Sequence, residues 1–167
     1  MSELTAPQKE TLKRFRGSAA ALLETVAGLT DDQLDCSLEP GEWTIRQIIN
    51  HVATDGDVWS ISFQKAIANS GAPVRFEGFL DNELWADNLA FDKRSIGNAV
   101  LLIEVHRRVI AELAEHFPDA WERYVVILDT EGKKVQHITA GQIIGMLTDH
   151  MEEHIATIEA IKQHHGV

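Results

Sequence analysis

Gly41-Glu-Trp-Thr44-Ile-Arg-Gln-Ile48-Ile-Asn-His51-Val-Ala-Thr54-Asp55 is the stretch from which the fold can be read. Pro40 and Gly41 interrupt the chain just ahead of it. Thr44 and Gln47 then form the capping-box pattern, in which the hydroxyl accepts from a free N–H of the first turn and the amide reaches back to the cap's own N–H. Ile45, Ile48, Ile49, Val52, Trp59, Phe63 and Ala66 follow at helical spacing, which predicts a helix from Thr44 to about Asn69 with that stripe turned inward. His51 falls inside the apolar stripe, and Asp55 lies one turn further on. A buried imidazole needs a partner, so His51 is either a satisfied core histidine or a member of a site shared with histidines elsewhere in the chain.

The same threonine-to-glutamine signal occurs at Thr5–Gln8, Thr30–Gln33 and Thr139–Gln142. It predicts a helix from about Ala6 to Ala27, with Leu12, Phe15, Ala19, Leu22, Leu23 and Val26 inward and Gly28 as its stop. A short turn at Asp31–Asp35 follows, and a last helix runs from Thr139 to about Gln163. Ser95 can cap a further helix to about His116, with Ile96, Val100, Ile103, Ile110, Leu113 and Phe117 recurring before Pro118. Gly71–Arg94 lacks a clean period and reads as a long crossover. Tyr124–Leu128 and Lys134–Ile138, separated by a turn containing Gly132, read as a small β-hairpin. The expected architecture is all-α: a four-helix bundle with a small β-hairpin before the last helix, in a single domain spanning residues 1–167.

Composition bounds the function. Of the 167 residues 44% are hydrophobic and 25% charged, values of an ordinary globular chain. The formal charge of −11 opposes contact with a phosphate backbone, so no nucleic-acid partner is expected. No long apolar run suggests a membrane span or a secretory leader, and the cytoplasm is the expected location. The one cysteine, Cys36, has no neighbour that would activate its thiol and reads as structural.

His150 and His154 stand i, i+4 on the apolar face of the last helix, with Leu147, Met151 and Ile158, so their imidazoles project together toward the core. Two histidines from one helix and one, His51, from another is a recurring way for a bundle to bind a metal. The run His150-Met-Glu-Glu-His154 is not the protease pattern His-Glu-x-x-His, because methionine occupies the position of the general base. Asp55, four residues after His51 on the same face, can orient that imidazole or approach the metal, and Glu153 can act as an acid or base; the alternative for both is a solvated helix charge. His106, between Ile103 and Ile110, reads as a satisfied core histidine, with a fourth ligand or a pocket residue as the alternatives. Trp43 and Trp59 read as packing, and His164 and His165 as exposed tail residues.

Three segments, Gly41 to His51, Ile138-Thr-Ala-Gly-Gln-Ile-Ile143, and His150-x-x-x-His154, together resemble the DinB/YfiT-like superfamily of metal-binding four-helix bundles. The resemblance implies a three-histidine site, His51, His150 and His154, for zinc, nickel or another divalent ion, and frequent homodimers. It further implies a metal-dependent hydrolase or an S-transferase acting with a low-molecular-weight thiol on a small-molecule substrate. The alternative is a non-catalytic metal-binding or protein-interaction bundle. A DNA-related role, suggested only by the family name, conflicts with the acidic charge.

Overall fold

The computed structural model describes residues 3–76 and 81–167. Four long helices form the bundle: α1 (Ala6–Val26), α3 (Ile45–Ala68), α5 (Gly97–His116) and α6 (Ala140–His165). The short α2 (Asp31–Leu34) and α4 (Asn82–Asn88) lie in the connections between them. All four threonines are N-caps with complete capping boxes: Thr5, Thr30, Thr44 and Thr139 each accept from the glutamine N–H three residues on. Helix α5 differs from expectation. It begins at Gly97 behind Ile96, which is already helical and offers no side-chain cap, while Ser95 Oγ only accepts from the Gly97 N–H at 3.3 Å.

Helix α1 packs on α5 and α6, and α3 packs on the same two, so α1 and α3 sit across the bundle from each other, as do α5 and α6. Along the chain the steps from α1 to α3 and from α5 to α6 therefore cross the diagonal, while α3 and α5 are neighbours. Arg107 of α5 lies inside this arrangement. It donates to the Leu147 carbonyl at 2.6 Å and to Ser18 Oγ at 3.4 Å, with its guanidinium 4.2 Å from the centre of the Phe15 ring. Burial lowers its pKa to about 10, so it remains a cation at neutral pH and ties α5 to both neighbours. Phe117, expected on the inner stripe of α5, is instead exposed, because the helix ends at His116 and the chain turns into a 3-10 turn, Pro118–Ala120.

The hairpin expectation holds for β2 (Tyr124–Leu128) and β3 (Lys134–Thr139), which pair antiparallel. Gly132 takes the left-handed φ of +80° that closes the turn, and Asp129 accepts from the Glu131 and Lys133 amides inside it. The crossover, expected to be long and only partly ordered, contributes a third strand, β1 (Ala72–Arg75), parallel to β2 with Ala72 opposite Val125. Pro73 is compatible with β1 because the strand is at the sheet's edge. Val125 and Ile127 turn inward onto Phe63, Ala66 and Ile67, so the sheet closes one end of the bundle. A second apolar cluster, with Leu22, Ile48, Ile49, Val52, Met151 and Ile158, fills the other.

Candidate metal centre

The three expected histidines meet where these two clusters adjoin. On α6, Leu147 belongs to the sheet-side cluster and Met151 to the other, and His150 projects between them. On α3 the buried stripe of Ile48, Ile49 and Val52 holds His51 inward, with only 7% of its surface exposed. Trp43, just before the cap, packs edge-on against the His51 ring with the centroids 4.9 Å apart, which fixes the imidazole's orientation. His51 Nε2 lies 3.3 Å from His150 Nε2, and His154 Nε2 lies 2.9 Å from the same atom. One ligating atom from each of the three falls within 4.8 Å of the others, and they are the only such group of three among the described residues.

Three imidazole nitrogens aimed at one point do not satisfy one another. A proton on His150 Nε2 can be shared with one neighbour, which leaves lone pairs facing each other. A divalent cation engages all of them, and metal–nitrogen bonds of about 2.0–2.1 Å in a tetrahedral arrangement separate the nitrogens by about 3.3 Å. The observed 2.9 and 3.3 Å fit that donor set. Electrostatics point the same way. Burial, and then the charges of His150 and His51, hold the His154 pKa down to about 3. Burial also lowers that of His51, against the pull of Asp55. Both rings are therefore unprotonated and free to donate lone pairs at neutral pH.

Asp55 faces His150 more than His51: its Oδ2 is 3.6 Å from His150 Nδ1, within ion-pair range though long for a hydrogen bond. His106 does not join the group. Its Nε2 contacts Asp57 Oδ1 at 3.0 Å, and its Nδ1 is buried without a hydrogen-bond partner against the backbone of α3 at Gly56. A Cβ at position 56 would stand 2.7 Å from that nitrogen, so glycine is what lets α5 approach α3 here. His165 lies apart from the trio, with Nε2 2.8 Å from the Ser37 carbonyl oxygen, and His164 is exposed.

Beside the histidines lies a cavity of about 580 Å³ with His150 in its wall. Asp55 and Trp59 of α3, Met146 and Glu153 of α6, and His137 of β3 also line it. Trp59 thus has a face on the cavity in addition to its packing on Phe76. His137 was not singled out by sequence reasoning, because its role comes from the sheet's placement over the cavity mouth and strand β3 has no apolar alternation to reveal its face.

Residues 14–158 match the profile of the DinB superfamily. The chain belongs to the DinB superfamily. Among curated DinB-like relatives, YfiT of Bacillus subtilis (strain 168), a protein named provisionally as a metal-dependent hydrolase, is 28% identical over 150 residues, covering 88% of this chain and 79% of YfiT. The solved structure of Bacillus subtilis YfiT, described as having an unusual four-helix bundle topology, superposes with a TM-score of 0.82 at 20% identity, over 99% of this chain and 92% of that one. A mycothiol-dependent maleylpyruvate isomerase superposes with a TM-score of 0.66 at 19% identity, over 91% of this chain but only 60% of the isomerase. These likenesses establish the DinB bundle, and the three-histidine group together with the relatives' names suggests a divalent metal.

Proposed function

We propose that this DinB protein is a metal-dependent enzyme that binds one divalent ion, zinc or nickel, through His51, His150 and His154, and acts as a hydrolase or a low-molecular-weight-thiol S-transferase. The observation that carries the reading is that His150 belongs both to the converging trio and to the wall of a cavity large enough for a small molecule. A closed structural site has no use for such a chamber. When bound by three imidazoles with a position left open, a divalent ion supplies Lewis acidity that makes water or a thiol a nucleophile near neutral pH.

The chain's own groups divide the remaining work. Asp55 places a carboxylate 3.6 Å from His150 Nδ1, which favours a proton on that nitrogen and leaves Nε2 facing the other two imidazoles. Glu153, exposed on the cavity wall, is placed to take or give a proton. Trp59, Met146 and Leu147 supply an apolar surface that holds the carbon skeleton of a substrate and displaces water from it. A thiol co-substrate is in keeping with the mycothiol-dependent structural neighbour and with a cytoplasmic setting, where such thiols stay reduced. No helix among the described residues is long and apolar enough to cross a membrane. A homodimer is the proposed assembly, testable by light scattering.

The deciding experiment uses tag-free protein loaded with zinc or nickel and screened against ester, amide and thiol-conjugation substrates. Turnover should appear, vanish on chelation, and return when metal is restored, while circular dichroism shows the helices intact throughout. Silence with every substrate, with metal bound at the three histidines, would favour a non-catalytic metal-binding bundle.

A further inference from the structure

We infer that the cavity beside the histidines selects ligands carrying a protonated amine and disfavours those carrying a carboxylate. The inference rests on reading that cavity as the chamber in which the metal centre meets its substrate. Its walls hold three carboxylates: Asp149 and Glu153 from α6 and Asp55 from α3 across from them. Among the described residues no lysine or arginine lines it. Asp149 is engaged by Arg14 at 2.8 Å, but among the described residues Asp55 has no cationic lysine or arginine partner, only the nearby His150 and His51 rings, and Glu153 makes no ion pair.

This placement carries a cost that a ligand can relieve. Asp149 and Glu153 are i, i+4 on one helix, a like-charge pair whose repulsion Arg14 offsets only in part, and Asp55 adds a third negative charge to the same open cavity. Low-dielectric walls of Trp59, Met146 and Leu147 reduce the screening that bulk water would supply. The carboxylates do not gather round a common point as the histidines do, since the trio is the only compact ligand group among the described residues. A second metal ion is therefore a poor match. A cation borne on a carbon skeleton fits, because the skeleton can lie on the apolar wall while the ammonium group donates three hydrogen bonds. A divalent ion at the histidines adds positive charge of its own. That charge acts on the reacting group held there, whereas the rest of the ligand faces the carboxylates.

The test titrates the full-length chain, metal-loaded and metal-free, with hexylammonium, hexanol and hexanoate, following amide shifts of cavity residues by NMR. At low salt hexylammonium should bind about tenfold more tightly than hexanoate, with hexanol between them, and added salt should narrow the gap. In the Asp149→Asn/Glu153→Gln variant the two charged probes should bind within about twofold of each other. Hexanoate binding as tightly as hexylammonium, or an ammonium preference that survives in the variant, would overturn the inference, as would failure of all three probes to bind. Turnover plays no part in these measurements. Amine selectivity in a protein without activity would remove the enzyme reading alone, and activity in a protein without selectivity would remove this one.

Discussion

Acidifying the metal-free protein isolates the cost of packing His154 beside two other imidazoles. Its folded pKa is held at about 3 against an ordinary 6.5, chiefly by burial. The unfolded chain therefore binds a proton near pH 6.5 that the folded chain refuses until about pH 3, so stability is complete above the upper value and drains away as pH falls through the window. At about 1.36 kcal/mol per pH unit the whole shift corresponds to an upper limit of about 5 kcal/mol. The ring is only half-buried, and screening by water trims this to about 2–3 kcal/mol. His51 acts in the same direction. For a chain of this size such a loss lowers Tm by on the order of 5–10 °C between pH 7 and pH 4. Thermal melts with a chelator present, run on wild type and on His154→Asn, measure it. The variant should show a flatter dependence, and parallel curves for the two proteins would refute the assignment of this proton to His154.

Three further outcomes are expected. His51→Ala, His150→Ala and His154→Ala should each weaken divalent-metal binding about 10²–10³-fold by calorimetry, the share of one ligand in a site worth about 10–16 kcal/mol with four, while His164→Ala/His165→Ala leaves it unchanged. Metal retained at wild-type affinity in all three single variants would place the site elsewhere. Gly56→Ala drives a methyl group to 2.7 Å from His106 Nδ1 and should cost about 1–3 kcal/mol in urea denaturation; an unchanged midpoint would mean that the α3–α5 approach is not tight. Thr139→Ala removes the cap of the helix bearing two of the histidines and should cost about 1 kcal/mol, with the tertiary fold otherwise preserved by near-ultraviolet circular dichroism.

Much of this fold was legible because its signals are local. Each threonine cap and its glutamine lie within one turn, so all four helix starts they mark could be read from neighbouring residues. The apolar stripes likewise placed His51, His150 and His154 inward, and the structure brings them together. What escaped depends on distant partners. Strand β1 is four residues long, contains Pro73, and exists because β2 pairs with it from the far side of α5. Helix α4, within the crossover, has Asp81 as its cap, a single residue with no glutamine three positions on to complete the signal. The start of α5 was misplaced because Ser95 is a good cap by type, while the helix actually opens at Gly97. His106 looked like a stripe residue, and only tertiary packing reveals its pairing with Asp57. Asp55, expected to act on His51, does pull on that ring's charge and also stands 3.6 Å from His150 Nδ1 on the facing helix.

In the proposed site the ligands are divided unequally between two helices, two on α6 and one on α3. A helix presenting both imidazoles one turn apart is a preformed bidentate chelator, and the third arm docks only when α3 is seated. Ion exchange should accordingly be stepwise, with α3 letting go first while the cation stays clasped by α6. The residence time of the ion is then governed by how firmly Ile48, Ile49 and Val52 hold α3 in place. Trimming those side chains should quicken metal loss without touching a single ligand.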